Sequence, residues 1–243
     1  MKQEAPAKVL VVVTSHDRLG DSGLATGFWL EELSTPYYAL VDAGIKVDIA
    51  SPRGGTVPVD PKSEQAEWQT DSTRRFKADT QAMNWLGHTL RIGDLRAEDY
   101  DAIYLAGGHG TMWDFPTDNA LTRLIAAFDV AGKPVASVCH GVAALVPLTD
   151  REGLPRVAGR KLTSFTDSEE RAVQLEKIVP FLLESRLREL GAQFDGGPDW
   201  GPRTVRDGNL ITGQNPASAE PAARVLIDAL RERPPRDAKQ ADQ

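Results

Sequence analysis

Residues 9–13 read Val-Leu-Val-Val-Val, a run with no polar side chain to turn toward water. A strand in an open antiparallel sheet alternates apolar and polar residues, because one of its faces is wet. A strand that is apolar throughout is covered on both faces, as in a parallel sheet between two layers of helices. Three further short runs, rich in apolar residues though each broken by a polar one, also read as strands: residues 46–50, 100–105 and 134–138. The first of these is stopped by Ser51-Pro52-Arg53-Gly54-Gly55, and the second by Gly107-Gly108. Such signals end strands because proline withholds an N–H and glycine opens unusual backbone angles.

Helical periodicity fills the intervals. Leu121, Leu124, Ile125 and Phe128 recur at spacings of three and four. Thr117 or Asp118 can cap the start of that helix, Gly132 ends it and Pro134 follows. An earlier helix carries Leu40 and Val41 and stops at Gly44. Pro36 leaves it two starts: Thr35 as N-cap with Pro36 in first position, or a start near Leu30 with a kink. A third helix is expected over 180–190, with Leu183, Leu187 and Leu190 on one face, and a last one over 216–230. Strands alternating with helices predict an α/β fold, a flavodoxin-like three-layer sandwich with a mostly parallel central sheet and helices on both faces.

Residues 1–230 of the 243 are expected to form one such domain, and 231–243, proline-rich and charged, a disordered tail. Residues 56–91 are more polar, with Trp68, Met83, Trp85 and Leu86 interspersed. They read as an insertion that packs over the sheet edge, over a site, or in an oligomer interface. A net charge of −7 argues against nucleic acid as a partner. No apolar run reaches the roughly 18 residues of a membrane span, and residues 1–8 show no signal-peptide cleavage pattern. The single cysteine excludes an intrachain disulfide and a cysteine-rich metal site, and makes a reducing, cytoplasmic setting the default.

Ligands of open parallel sheets gather at the carboxyl ends of the strands, so the loops 14–24, 51–55, 107–116 and 139–142 matter most. In the last of these a strand passes through Cys139-His140-Gly141 into a helix. A side chain on such an elbow is presented above the sheet, and the positive end of the helix favours a thiolate. An isolated free cysteine is usually a buried apolar residue; the elbow and the adjacent His-Gly reverse that reading. The backbone N–H groups of Gly108 and His140 can hold an oxyanion formed by attack of Cys139. Glu31 and Glu32 follow the first strand. If that strand is central, its loop lies beside the elbow and one carboxyl can exchange a proton with a bound substrate. His140 must curl back to serve as base, and Glu169 or Glu170 can orient it. A metal site from His16, His109 and Asp17 or Asp114 has no recognised ligand spacing.

The segments Ala106-Gly107-Gly108-His109-Gly110 and Ala136-Ser137-Val138-Cys139-His140-Gly141 resemble the ThiJ/PfpI superfamily, a branch of the class I glutamine amidotransferase-like proteins. Residues 26–36, 47–55 and 211–218 narrow the likeness to heat-inducible, chaperone-like proteins that act as glutathione-independent glyoxalases (glyoxalase III). The likeness spans residues 9–230. It implies Cys139 as nucleophile with His140, Glu32 as the glutamate beside it, and Glu170 as the acid that orients His140. It also implies Gly108 and His140 as oxyanion donors, with Gly107 beside them at the substrate. Thr35 departs from the pattern, standing where relatives often carry histidine; this bears on the pocket wall. The implied activity converts a small 2-oxoaldehyde such as methylglyoxal to a 2-hydroxy acid, lactate in that case. The implied partner is a small carbonyl substrate, in a homodimer without nucleic acid or membrane. No cofactor, metal or glutathione is implied, since the protein supplies the thiol. The alternatives are another cysteine-dependent hydrolase, hydratase or deglycase of the superfamily, and a stress chaperone or redox sensor with Cys139 as its sensing thiol.

Overall fold

A computed structural model describes residues 6–233. Its strands are β1 (Lys8–Val12), β2 (Lys46–Ser51), β3 (Leu90–Arg91), β4 (Ala102–Leu105), β5 (Val135–Val138), β6 (Lys161–Leu162), β7 (Gln193–Phe194), β8 (Thr204–Asp207) and β9 (Leu210–Gly213). Its α-helices are α1 (Leu30–Asp42), α2 (Asp71–Ala78), α3 (Thr80–Gly87), α4 (Thr111–Asp114), α5 (Asn119–Val130), α6 (Asp167–Ala172), α7 (Leu183–Glu189) and α8 (Ala219–Arg231). Seven strands form one sheet in the order β3-β2-β1-β4-β5-β9-β8. All its pairings are parallel except β8 against β9. This is the mostly parallel α/β architecture expected from the apolar runs.

The side chains of β1 explain the layers. Val9 and Val11 pack with Leu33 and Leu40 of α1 and with Ala222 and Leu226 of α8. Leu10 and Val12 point the other way, to Leu121, Ile125 and Phe128 of α5 and to Leu183 and Leu187 of α7. Successive strand residues face opposite sides, so a run apolar at every position demands a helix layer on each. Each fully buried Leu or Phe here contributes roughly 1.5–3 kcal/mol.

Helix ends follow local chemistry. Asp118 caps α5, its Oδ1 accepting from Leu121 N at 2.8 Å. Thr117, the other candidate, bonds back to Trp113 O instead. Gly132 leaves α5 at φ +61, and Gly44 leaves α1 at φ +78. Of the two starts for α1, the structure takes Leu30 and carries Pro36 inside the helix. Thr35 is no cap; its hydroxyl meets Ser72 of α2 at 2.6 Å. Having no N–H, Pro36 leaves the carbonyl of Glu32 without its helical partner.

Several expectations change. Beyond the four strands read from the sequence, residues 161–162 form the short β6, which pairs with β7 in a separate two-stranded sheet. The place beside β5 belongs to β9, whose Gly213 admits Val138 and Ser218 where a side chain would collide. The third helix spans Leu183–Glu189 only, with Leu182 as its N-cap. The last helix is split: Pro216–Ser218 is a separate 3-10 turn before α8. The α8 helix includes Arg231, and most of the expected tail, residues 234–243, lies outside the described residues. Residues 56–91 are well ordered into two 3-10 turns, α2, α3 and the edge strand β3. Thr70 and Asp79 cap α2 and α3, and Arg75 pairs with Asp42 of α1. This segment covers the sheet edge, and Trp68 meets Trp29 edge-on, with centroids 5.4 Å apart. Finally, β1 does not adjoin the elbow strand; β4 lies between them.

Candidate active site

The elbow forms where β5 gives way to a 3-10 helix, Cys139–Leu145. Cys139 adopts φ +55, the left-handed region that costs a non-glycine residue about 1–2 kcal/mol. Gly141 permits the turn, since a Cβ there would strike the carbonyls of Leu105 and Ala106. The cysteine is only 4% exposed. Burial pushes its thiol well up, the Glu32 carboxyl pushes the same way, and the His140 backbone N–H opposes them. Both upward influences work against the thiolate that the elbow alone would favour. A single short 3-10 helix does not outweigh desolvation beside a carboxyl group.

His140 does curl back. Its Nδ1 lies 3.3 Å from Cys139 Sγ and its Nε2 lies 2.7 Å from Glu170 Oε2. A carboxylate only accepts, so Nε2 carries the proton and Nδ1 offers a lone pair to the thiol. Burial lowers the His140 pKa and His109 adds to this, while Glu170 opposes. The ring is thus a neutral base at rest. Burial resists ionisation of Glu170, yet His140 and His109 outweigh it and hold the carboxyl well below the usual range.

The two adjacent glutamates of α6 separate cleanly. Thr166 and Glu169 form a capping box that starts the helix. This turns the Glu169 carboxylate to Thr166, to Trp200 N at 2.8 Å, and to the amides of Gln214 and Asn215. Glu170, one position on, faces His140 instead.

Glu32 is fully buried in the first turn of α1. Its Oε2 accepts from Gly107 N at 2.8 Å, while Oε1 has no hydrogen-bond partner of good geometry. Burial raises its pKa to about 8, with the Cys139 thiol and the Gly107 N–H as opposing influences. Glu31, partly exposed, is raised to about 7 by burial. Gly107 fills the gap between β1 and β5: a Cβ there would meet Glu32 Oε2 and Cys139 Cβ. Next to it Gly108 turns at φ +107, where a Cβ would strike Gly27 O and Trp29 N. Glu32 thus reaches the elbow across a strand whose end carries no side chain.

Sequence reasoning left His109 in a weak metal grouping and missed its actual place. His16 instead bonds Arg18 O and stacks on Trp113, and Asp114 bonds Thr14 and Ser15. His109 lies on the triad: its Nε2 is 2.8 Å from Glu170 Oε1 and its ring centroid 4.1 Å from that of His140. Its position directly after Gly107-Gly108 was the available signal. Phe165 packs against the His140 ring at 4.3 Å. His109, His140 and Glu170 bring donor atoms within 4.8 Å of one another, a set that suits a transition metal. Here both Nε2 atoms go to separate oxygens of Glu170, so the group is closed by its own hydrogen bonds. A separate small cavity of about 20 Å³ lies at the opposite end of the sheet, lined by Ile125, Asp129, Val135, Arg156 and Leu210, and holds none of these groups.

Relatives share this architecture over nearly their whole length. The chain is 32% identical over 237 residues to the glutathione-independent glyoxalase HSP31 of Saccharomyces cerevisiae, covering 93% of this chain and 99% of that protein. The Rapid Encystment Protein of 24 kDa from Francisella tularensis superposes with a TM-score of 0.89 at 38% identity, covering 92% of this chain and 99% of that one. Glyoxalase III from Candida albicans does so with a TM-score of 0.85 at 28% identity, covering 92% and 97%. The DJ-1/PfpI family matches residues 23–229, and with the elbow cysteine and parallel sheet described above, the chain belongs to the DJ-1/PfpI family.

Proposed function

We propose that the chain is a glutathione-independent glyoxalase that converts methylglyoxal, or a similar small 2-oxoaldehyde, to the 2-hydroxy acid. The carrying observation is the contiguous line of Cys139 Sγ, His140 and Glu170, with Glu32 brought to the same sulfur over Gly107. Relatives covering more than nine-tenths of this chain bear that activity in their names, which supports the reading.

The chemistry starts from a protonated thiol, a neutral His140 and a protonated Glu32. Sulfur adds to the aldehyde carbon while His140 Nδ1 takes the thiol proton. Gly108 N–H and His140 N–H hold the developing alkoxide, and Glu32 protonates it to a thiohemiacetal hydroxyl. The Glu32 carboxylate then removes the hydrogen from that carbon. The His140 imidazolium protonates the neighbouring ketone oxygen, and an enediol results. Return of the proton from Glu32 to the second carbon, with loss of the hydroxyl proton to His140, gives a thioester of the 2-hydroxy acid. Water adds with its proton passing to Glu32, and the sulfur leaves with the proton of His140. Each group ends as it began. The thiol that glutathione would supply is part of the protein, so the scheme calls on no second thiol.

The same reading takes residues 1–230 as one domain, acting as a homodimer in the cytoplasm; analytical ultracentrifugation tests the dimer. For the activity, lactate formed from methylglyoxal is measured for wild type and Cys139→Ala without added thiol. Lactate from the wild type and none from the variant is expected. Equal rates would overturn the proposal.

A further inference from the structure

His109 takes no part in the steps above, yet it is built into the triad. Glu170 is buried, and its two oxygens receive one donor each, Nε2 of His140 and Nε2 of His109. No other donor reaches this carboxylate among the described residues. We propose that His109 is a positioning residue: by holding Oε1 of Glu170 it fixes Oε2 on His140 Nε2, and so aims His140 Nδ1 at the Cys139 sulfur. The inference rests on the glyoxalase reading for its activity assay only.

A carboxylate held by one donor can swivel about its last carbon–carbon bond; a second donor on the other oxygen fixes its plane. The His109 ring adds a wall, 4.1 Å from His140 and tilted by 41°, and Phe165 adds another at 4.3 Å; the two lie edge to face with each other, 6.1 Å apart. The His140 imidazole is therefore held at Nε2 and flanked by two rings, leaving Nδ1 as its working atom. The loop delivers His109 to this place because Gly108 makes its turn hard against Gly27 O and Trp29 N. The side chain of His109 is 13% exposed, against 1% for His140, so a substitution here reaches the triad from its more open side.

The groups that bear on His140 are few. Cys139 lies on its own turn, Glu169 and Glu170 on α6, His109 on the β4–α4 loop, and Glu32 on α1 beyond the sulfur. Asp114 of α4 is turned to Thr14 and Ser15, and Asp129 of α5 is held by Arg156 at the far end of the sheet. Losing His109 leaves the Glu170 charge to His140 alone. The imidazole then holds its proton to higher pH, and the acid limb of kcat/KM moves up.

The experiment compares wild type with His109→Leu and His109→Gln, following lactate formation against pH. Alkylation of Cys139 by iodoacetamide is followed in parallel. His109→Leu is expected to lose kcat about tenfold to hundredfold, the cost of a misaimed catalytic group, with KM nearly unchanged and the acid limb shifted upward. His109→Gln, whose amide can still donate to Glu170, is expected to recover most of kcat. A wild-type kcat and pH profile in His109→Leu overturns the inference. So does equal loss in both variants with an unmoved acid limb, which marks a merely structural role. Should the wild type form no lactate, the glyoxalase reading falls. The alkylation profile then decides for His109: a shifted pH dependence in His109→Leu upholds the clamp, and an unshifted one overturns it.

Discussion

The backbone N–H of Gly107 donates to Glu32 Oε2 at 2.8 Å, and through this bond a helix that follows β1 is pinned over the end of β4. The contact exists only because position 107 has no side chain. A Cβ added there would overlap Glu32 Oε2, Cys139 Cβ and the Val138 carbonyl. Gly107→Ala should therefore drive Glu32 from the sulfur. We expect near-complete loss of lactate formation, with a fall in stability of about 1–3 kcal/mol as for other overpacked sites. Urea denaturation beside the activity assay checks both.

Glu32 also links stability to pH. Burial raises its folded pKa to about 8, far above the 4.5 of a free side chain. Between those values the folded chain keeps a proton that the unfolded chain has released. Stability is therefore fully present below the unfolded value and declines as pH rises toward about 8, by at most roughly 1.4 kcal/mol per pH unit. Glu32→Gln removes this slope. Urea midpoints taken across that range should fall with pH in the wild type and run flatter in the variant.

The thiol itself gives a third outcome. Burial and the Glu32 carboxyl both push the Cys139 pKa up. Alkylation by iodoacetamide should climb into the alkaline range in the wild type rather than level off near neutrality. In Glu32→Gln the climb should begin at lower pH, because one of the two causes is gone. An unchanged profile would mean that Glu32 does not act on the sulfur.

Glu169 and Glu170 should fail in opposite ways. Glu169 serves a backbone N–H of Trp200 and the amides of Gln214 and Asn215, none of which can exchange donor for acceptor without losing other bonds. Glu169→Gln should cost about 1.5–3 kcal/mol, the range for hydrogen bonds to a charged group. Glu170 serves two imidazoles, and an imidazole can move its proton to Nδ1. Glu170→Gln should keep most of the stability and lose kcat. Thermal melts and kinetics on the pair separate the two roles.

Much of this was legible in the residues. The runs at 9–13, 102–105 and 135–138 state a sheet covered on both faces, since no charged side chain interrupts them. The turn at Cys139-His140-Gly141 states an elbow for the same local reason. What escaped depends on strand order. Sequence spacing alone does not say that β4 would stand between β1 and β5, so the need for a bare Gly107 was hidden. The favourable end of a helix was readable at Cys139, but the carboxyl and hydrocarbon that outweigh it come from distant segments. The choice between Glu169 and Glu170 was fixed by a capping box at Thr166, a local motif whose geometry assigns the first glutamate to the helix start. His109 was visible as a residue, and its partner sixty-one positions on was not.

The order of the crossovers has a consequence for biosynthesis. Glu32, Gly107 and Cys139 are all translated before α6, which brings Glu170. A chain still leaving the ribosome just past the elbow turn thus owns its nucleophile but lacks the acid that aims its histidine. Its imidazole is unaimed until α6 docks, so the order of synthesis places the nucleophile in the chain well before the acid that aims its base.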